Sequence, residues 1–171
     1  MNIKNFEFKA RVKEAAIYES KLLMLNPRFH GTDYQRDTYF NVPSGRLKLR
    51  EGNIENALIF YSRQNIAGAK SSDVILYKHV PDEALKNILT LQFGIKAVVK
   101  KQRKIYFIDN VKFHFDTVDE LGTFIEVEAA DHSGKYTEKE LQEQCNYYFR
   151  FFELNDSHCV DVSYSDMLEK G

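Results

Sequence analysis

Residues 98–118 read VVKKQRKIYFIDNVKFHFDTV. Side chains alternate across a β-strand, so every second residue lies on one face. Lys101 and Arg103 therefore share a face, with Val98 and Val99 before them and Ile105, Tyr106 and Phe107 after them. Past Asp109-Asn110, a tight-turn signal, Lys112, His114 and Asp116 oppose Val111, Phe113 and Phe115. The stretch predicts two antiparallel strands, 96–108 and Val111–Val118, the second with one ionic side and one bulky apolar side.

The same pattern extends outward in both directions. A first strand over 3–12 sets Asn5, Glu7, Lys9 and Arg11 against Phe6, Phe8, Ala10 and Val12. Arg46, Lys48 and Arg50 oppose Leu47 and Leu49, and Glu126 and Glu128 oppose Ile125 and Val127. Strands are expected over 33–41, 46–50, 57–63, 74–80 and 124–130. Helices are expected over 13–25, which Pro27 helps to close, and from Pro81-Asp82 to Phe93, which Gly94 ends. A third helix over 137–152 opens on Thr137 with Glu140 three residues later, a capping-box pattern. Periodicity alone leaves two arrangements open. The charged faces meet water while helices cover the apolar faces, or they turn inward and line a polar cavity.

The chain of 171 residues carries a formal net charge of −1, with 43% hydrophobic and 29% charged residues. That is one ordinary domain with room for a core. Its charge balance excludes a domain-wide basic surface for nucleic acid, and its aromatic content excludes a disordered chain. No stretch has the length of a transmembrane helix, and the N-terminal residues lack the apolar run of a signal peptide. With only Cys145 and Cys159, reduced thiols and a cytoplasmic location are expected. The Gly-x-x-x-x-Gly-Lys-Ser/Thr phosphate loop and the Gly-x-Gly-x-x-Gly fingerprint are absent, and the five histidines have no zinc spacing. Tyr147, Tyr148, Phe149, Phe151 and Phe152 suit a core or dimer-packing role.

The ionic faces segregate by sign. Cations gather at Lys9, Lys48, Arg50, Arg63, Lys101 and Arg103, and carboxylates at Glu7, Asp116, Glu126 and Glu128. Such a division suits a metal–polyphosphate ligand: Mg²⁺ or Mn²⁺ takes hard oxygen ligands, and Arg and Lys neutralise the phosphates.

Five stretches then show a family resemblance. Asn5-Phe6-Glu7-Phe8-Lys9 matches the Glu-x-Glu-x-Lys motif of the CYTH superfamily, the triphosphate tunnel metalloenzymes, with Asn5 in place of the first Glu. QRDTYFNVPSGRLKLRE (35–51), LIFYSR (58–63), VVKKQRKIYFI (98–108) and FHFDTVDELGTFIEVE (113–128) resemble the class IV adenylyl cyclase branch, in the same order along the chain. The resemblance implies an α+β fold, a single domain over 1–171 built as an eight-stranded antiparallel β-barrel with a polar tunnel and helices packed outside. It implies that Glu7, Glu126 and Glu128 hold Mg²⁺ or Mn²⁺. Lys48, Arg50, Arg63, Lys101 and Arg103 would clamp a triphosphate, joined by Lys70 from a loosely matching loop. Lys9 and Asp116 would serve the catalytic centre, Lys9 as a cation able to handle a proton and Asp116 as a further acid. An amide at position 5 replaces a charged ligand with a neutral one.

The leading expectation is an adenylyl cyclase converting ATP to cyclic AMP and pyrophosphate. The alternatives are an inorganic, thiamine or nucleoside triphosphatase of the same fold, and a non-catalytic polyphosphate- or nucleotide-binding module. The expected partners are a triphosphate small molecule and a second copy of the chain, with neither nucleic acid nor membrane. Tyr39, Phe40 and Tyr61 are candidates to stack on a base.

Overall fold

In the computed structural model, which describes residues 2–62 and 70–169, the alternating stretches become eight strands and four helices. In chain order they are β1 (Asn2–Arg11), α1 (Ala15–Leu23), β2 (Arg28–Phe40), β3 (Arg46–Glu51), β4 (Ala57–Ser62), β5 (Lys70–Lys78), α2 (Glu83–Phe93), β6 (Ile95–Ile108), β7 (Val111–Val118), β8 (Gly122–Asp131), α3 (Glu138–Phe151) and α4 (Tyr164–Glu169). Asp109 takes a left-handed φ of 49° in the β6–β7 turn, which folds Lys101 against Val118 and Arg103 against Asp116.

The strands close into a barrel in the order β1-β5-β4-β3-β2-β6-β7-β8, with every neighbouring pair antiparallel. Closure leaves no free sheet edge. It also decides between the two arrangements that periodicity left open, because the ionic faces point inward, where Ile59, Tyr61, Val74 and Leu76 join them, while the main hydrophobic core lies outside the wall. Phe6, Phe8, Phe113, Ile125 and Val127 pack outward with Leu141, Cys145, Tyr148 and Phe152 of the α3 region and Leu22 of α1. Across this layer Phe113 meets Tyr148 edge-on at 4.7 Å, and Phe8 meets Phe149 at 5.3 Å. The aromatic run on α3 is thus mainly core, although Tyr147 stays half exposed.

On the other side, Leu89 of α2 packs on Phe40 and Leu49. Asp82 caps α2 by accepting from the Ala84 amide at 2.8 Å, and Gly94 ends it at φ 72°, a value that favours glycine. Three elements depart from expectation. β5 runs Lys70–Lys78 rather than over the expected 74–80. β2 begins at Arg28, five residues before the alternation becomes readable, because its register with β6 shifts between Phe29 and Gly31. The last helix, α4, lies where no element was expected. It joins Tyr164 to Tyr39, Val99, Val118 and Phe124 in a buried cluster across one end of the barrel.

Candidate active site

The interior has two poles on opposite walls. On one, Asp37 of β2 is fully buried among three cations. Arg50 of β3 donates to it from Nε and Nη2 at 2.9 and 2.7 Å, and Lys101 of β6 donates at 2.8 Å. Lys48 Nζ stands 3.2 Å away. Burial opposes ionisation of Asp37, but Arg50, Lys101 and Lys48 outweigh it and hold the carboxyl well below the usual range. Arg50 and Lys48 alone outnumber Asp37, so this group stays positive whether or not Lys101 is protonated. Burial, with Arg50, Arg103 and Lys48 close by, pushes Lys101 down to about 7 against the pull of Asp37.

The opposite wall, β1 with β8, carries the acids. Glu7 lies directly across the ladder from Glu128, and Lys9 from Glu126. Asn5 donates from Nδ2 to Glu128 at 3.0 Å, while its Oδ1 is buried without a hydrogen-bond partner. In the barrel order β1 and β8 are diametrically opposed to β2 and β3, so the sequence's segregation of sign becomes a separation in space.

Between the poles Arg103 grips Asp116 through two bonds of 2.7 and 2.6 Å and reaches Glu126 at 2.8 Å. Tyr164 donates its hydroxyl to the same Asp116 carboxylate at 2.7 Å. The ammonium of Lys9 sits 3.8 Å above the Tyr164 ring. Burial, then the negative charge of Asp116 and Glu126, pushes the Tyr164 phenol well above its ordinary range, so it remains a donor. His114 is buried with no hydrogen bond to either ring nitrogen, and Glu126 is 3.6 Å from its Nδ1. Burial, with Arg103 adding to it, pushes this imidazole down to about 4, so it is neutral at pH 7.

Near the other mouth Glu55 takes Arg50 at 3.0 Å and pairs with Lys112. Its loop is set by Asp33, which accepts from the amides of Ile54 and Glu55, both at 2.9 Å. Position 52 must be glycine there, since a Cβ would lie 2.6 Å from an Asp33 oxygen.

These groups line a cavity of about 660 Å³ that runs from Tyr164 at one end to His30, His79 and His132 at the other. Ile59, Tyr61, Val74 and Leu76 give it an apolar flank on β4 and β5. Glu7, Lys9, Lys48, Arg50, Lys101, Arg103, Glu126 and Glu128 all face this one space. Asp116 is buried beside it through Arg103. Arg63 lies outside the described residues, and Lys70 is described only as the first residue of β5, opposite Glu7 in the ladder. Of the stacking candidates Tyr39 and Tyr61 line the cavity, whereas Phe40 points outward under α2, since it lies one residue out of phase with Tyr39. Arg11 is exposed and does not line the cavity; it covers the ring of Phe124, its partner across the ladder, at 5.1 Å.

Sequence reasoning missed Asp37, Glu55, Lys112 and Tyr164. Asp37 and Lys112 were within reach by parity, since Asp37 shares a strand face with Tyr39 and Lys112 with His114. Tyr164 had a weaker signal, the Ser163-x-x-Asp166 cap before it.

The acid pole suits a divalent ion in kind, because carboxylates and an unpartnered amide oxygen are hard donors. Among the described residues, however, no three His, Cys, Asp or Glu side chains already stand together as a ligand set.

The sequence model of the CYTH domain family matches residues 4–152. No curated protein sequence is significantly similar to the chain. Among solved structures, a protein of Pyrococcus horikoshii OT3 superposes with a TM-score of 0.77 at 24% identity, over 95% of this chain and 98% of its own. A candidate adenylate cyclase of Vibrio parahaemolyticus superposes with a TM-score of 0.77 at 18% identity, over 96% of this chain and 97% of its own. A candidate adenylyl cyclase of Hippeastrum, described as having a dominant triphosphatase activity, gives 0.66 at 13% identity, over 100% of this chain and 96% of its own. At these identities the likeness is one of fold. The family match runs from within β1 to the end of α3, and the chain belongs to the CYTH domain family.

Proposed function

We propose that this protein is a metal-dependent enzyme acting on a nucleoside triphosphate held inside the barrel, with ATP converted to cyclic AMP and pyrophosphate. The observation that carries the reading is the two-pole interior. Three cations around one carboxylate form a positive wall, faced across the cavity by Glu7, Glu126 and Glu128. A triphosphate leaves water only for comparable charge-assisted contacts, and Lys48, Arg50, Lys101 and Arg103 supply them. The apolar flank of Ile59, Tyr61, Val74 and Leu76 suits a nucleoside, which inorganic triphosphate would not need.

In this reading the clamp fixes the register of the triphosphate, so that the ribose 3′-hydroxyl meets the α-phosphorus in line with the departing pyrophosphate. The new bond is O3′–Pα, the bond from Pα to the bridging oxygen of the β-phosphate breaks, and the 3′-hydroxyl proton is released to solvent. Lys9 sits beside the acids and neutralises charge on the α-phosphate oxygens. Glu7, Glu126 and Glu128 would hold Mg²⁺ or Mn²⁺, which would supply Lewis-acid neutralisation of phosphate charge. Asn5 leaves that wall one carboxylate short of the family motif, which favours the less demanding Mn²⁺. The same reading takes the protein to be a cytoplasmic homodimer.

Hydrolysis is the second reading, favoured by the Hippeastrum protein of the same fold and its described triphosphatase activity. Incubation of the purified protein with ATP, thiamine triphosphate and inorganic triphosphate, each in Mg²⁺ and in Mn²⁺, separates the two by product. Cyclic AMP with pyrophosphate is expected from ATP. Orthophosphate alone would replace the cyclase by a triphosphatase, and tight binding without turnover would replace both by a binding module.

A further inference from the structure

Beyond residue 152, where the family match ends, the chain returns to the barrel. His158 accepts from the Arg11 amide at 2.8 Å, Cys159 bridges to Ala10, and Val160 donates to the Lys9 carbonyl at 2.9 Å. Three consecutive residues therefore strap this tail to β1 where Lys9 enters the cavity. Ser163 and Asp166 then cap α4 reciprocally, with bonds of 3.2 and 3.3 Å. Arg46 holds Asp166 from the barrel rim at 2.7 Å. The outcome is one side chain turned inward. Tyr164 is 3% exposed, its hydroxyl is on Asp116, and its ring lies under Lys9 at 3.8 Å and near Lys101 at 5.7 Å.

We infer that Tyr164 is a positioning residue of the site: its hydroxyl fixes Asp116, and its ring face fixes the ammonium of Lys9. Asp116 has two bonds from Arg103, and the phenol supplies a third donor, from an element outside the barrel strands. Lys9 carries a long flexible side chain, and an aromatic face beneath its ammonium selects one of its rotamers. The tail thus completes a centre whose other members all come from barrel strands. The inference rests on the proposed function only for the reaction in which this placement is used.

The test uses the full chain as Tyr164→Phe, which keeps the ring, and Tyr164→Leu, which removes ring and hydroxyl. Tyr164→Phe is expected to lower kcat about tenfold with KM within about threefold of wild type, the size of one charge-assisted hydrogen bond. Tyr164→Leu is expected to lower kcat further and to raise KM, because Lys9 and Lys101 both lose the ring. Ligand-free crystal structures of the two variants give a readout that needs no turnover: the Asp116 carboxylate should shift in both, and Lys9 Nζ in Tyr164→Leu alone. Unmoved side chains overturn the inference even if the wild-type protein proves to have no catalytic activity, a result that would count against the proposed function separately. Wild-type kcat and KM in both variants, or a lower melting temperature with the kinetics of the folded enzyme unchanged, overturn it as well. If Tyr164→Leu fails to fold, Tyr164→Phe alone decides.

Discussion

On the proposed function Lys101 would join protonation to ligand binding. In the folded chain it titrates near 7, while an unfolded lysine titrates near about 10.4. Between those values the unfolded chain keeps a proton that the folded chain has released. The stability contributed by this residue therefore grows as pH rises through that window and is smallest below it. A triphosphate beside Lys101 reverses the balance, because added negative charge restores the ammonium. At pH 8 the binding of tripolyphosphate should take up about one proton per site. Calorimetry in buffers of different ionisation enthalpy measures this, and Lys101→Met should abolish most of the uptake. No uptake in wild type would mean that Lys101 is already charged in the free protein. The sequence made Lys101 visible as a cation among apolar neighbours. Parity could place Asp37 on the same face as Tyr39 but not as the counterion of Lys101, because that pairing joins β2 to β3 and β6 and depends on a register that no local pattern encodes. Asn5 was visible only against a motif, and its buried unpartnered oxygen only in three dimensions.

At the scale of elements, legibility tracks local signals. α3 was readable because Thr137 and Glu140 announce its start and its apolar stripe repeats over several turns. The cap forms as expected: Thr137 Oγ1 accepts from the Glu140 amide at 3.2 Å, and the Glu140 carboxylate accepts from the Thr137 amide at 2.7 Å. Thr137→Ala should destabilise the protein by about 1 kcal/mol and lower its melting temperature by about 2–4 °C. The kinetics of the folded enzyme should be unchanged, because α3 packs on the outer side of β1 and β8. Thermal melts with parallel assays check both halves, and a change in KM would show that α3 reaches the cavity. α4 was not readable, since its few residues are too short for a helical period and its stability comes from contacts with the barrel rim. The start of β2 was lost for a related reason, as the irregular register around Gly31 breaks the alternation that marks a strand.

For the whole molecule, closure of the barrel is the non-local fact on which function turns. The same alternating strands would make an open sheet with a wet face, and only the pairing of β1 with β8 turns the ionic side into an interior. A chain of net charge −1 then holds a positive wall and an acidic wall across one cavity. On the proposed function the two walls would carry different halves of a metal–triphosphate ligand, so their contributions should be separable. A ligand that binds only the folded state stabilises it by ~2.7 kcal/mol at a hundred times its Kd, or roughly 5–11 °C for a domain of this size. With Mg²⁺ or Mn²⁺ present, tripolyphosphate at that concentration should raise the melting temperature by this amount. In excess EDTA the same tripolyphosphate concentration should give a clearly smaller rise, because Glu7, Glu126 and Glu128 then face the added anion without a cation between them. Metal alone should give little, since Arg103 already holds Glu126 and Asn5 already holds Glu128. Melting curves over the four combinations of metal and tripolyphosphate measure the coupling directly. An equal shift with and without metal would remove the acidic wall from ligand binding and leave Asp37 and its three cations as the whole of the site.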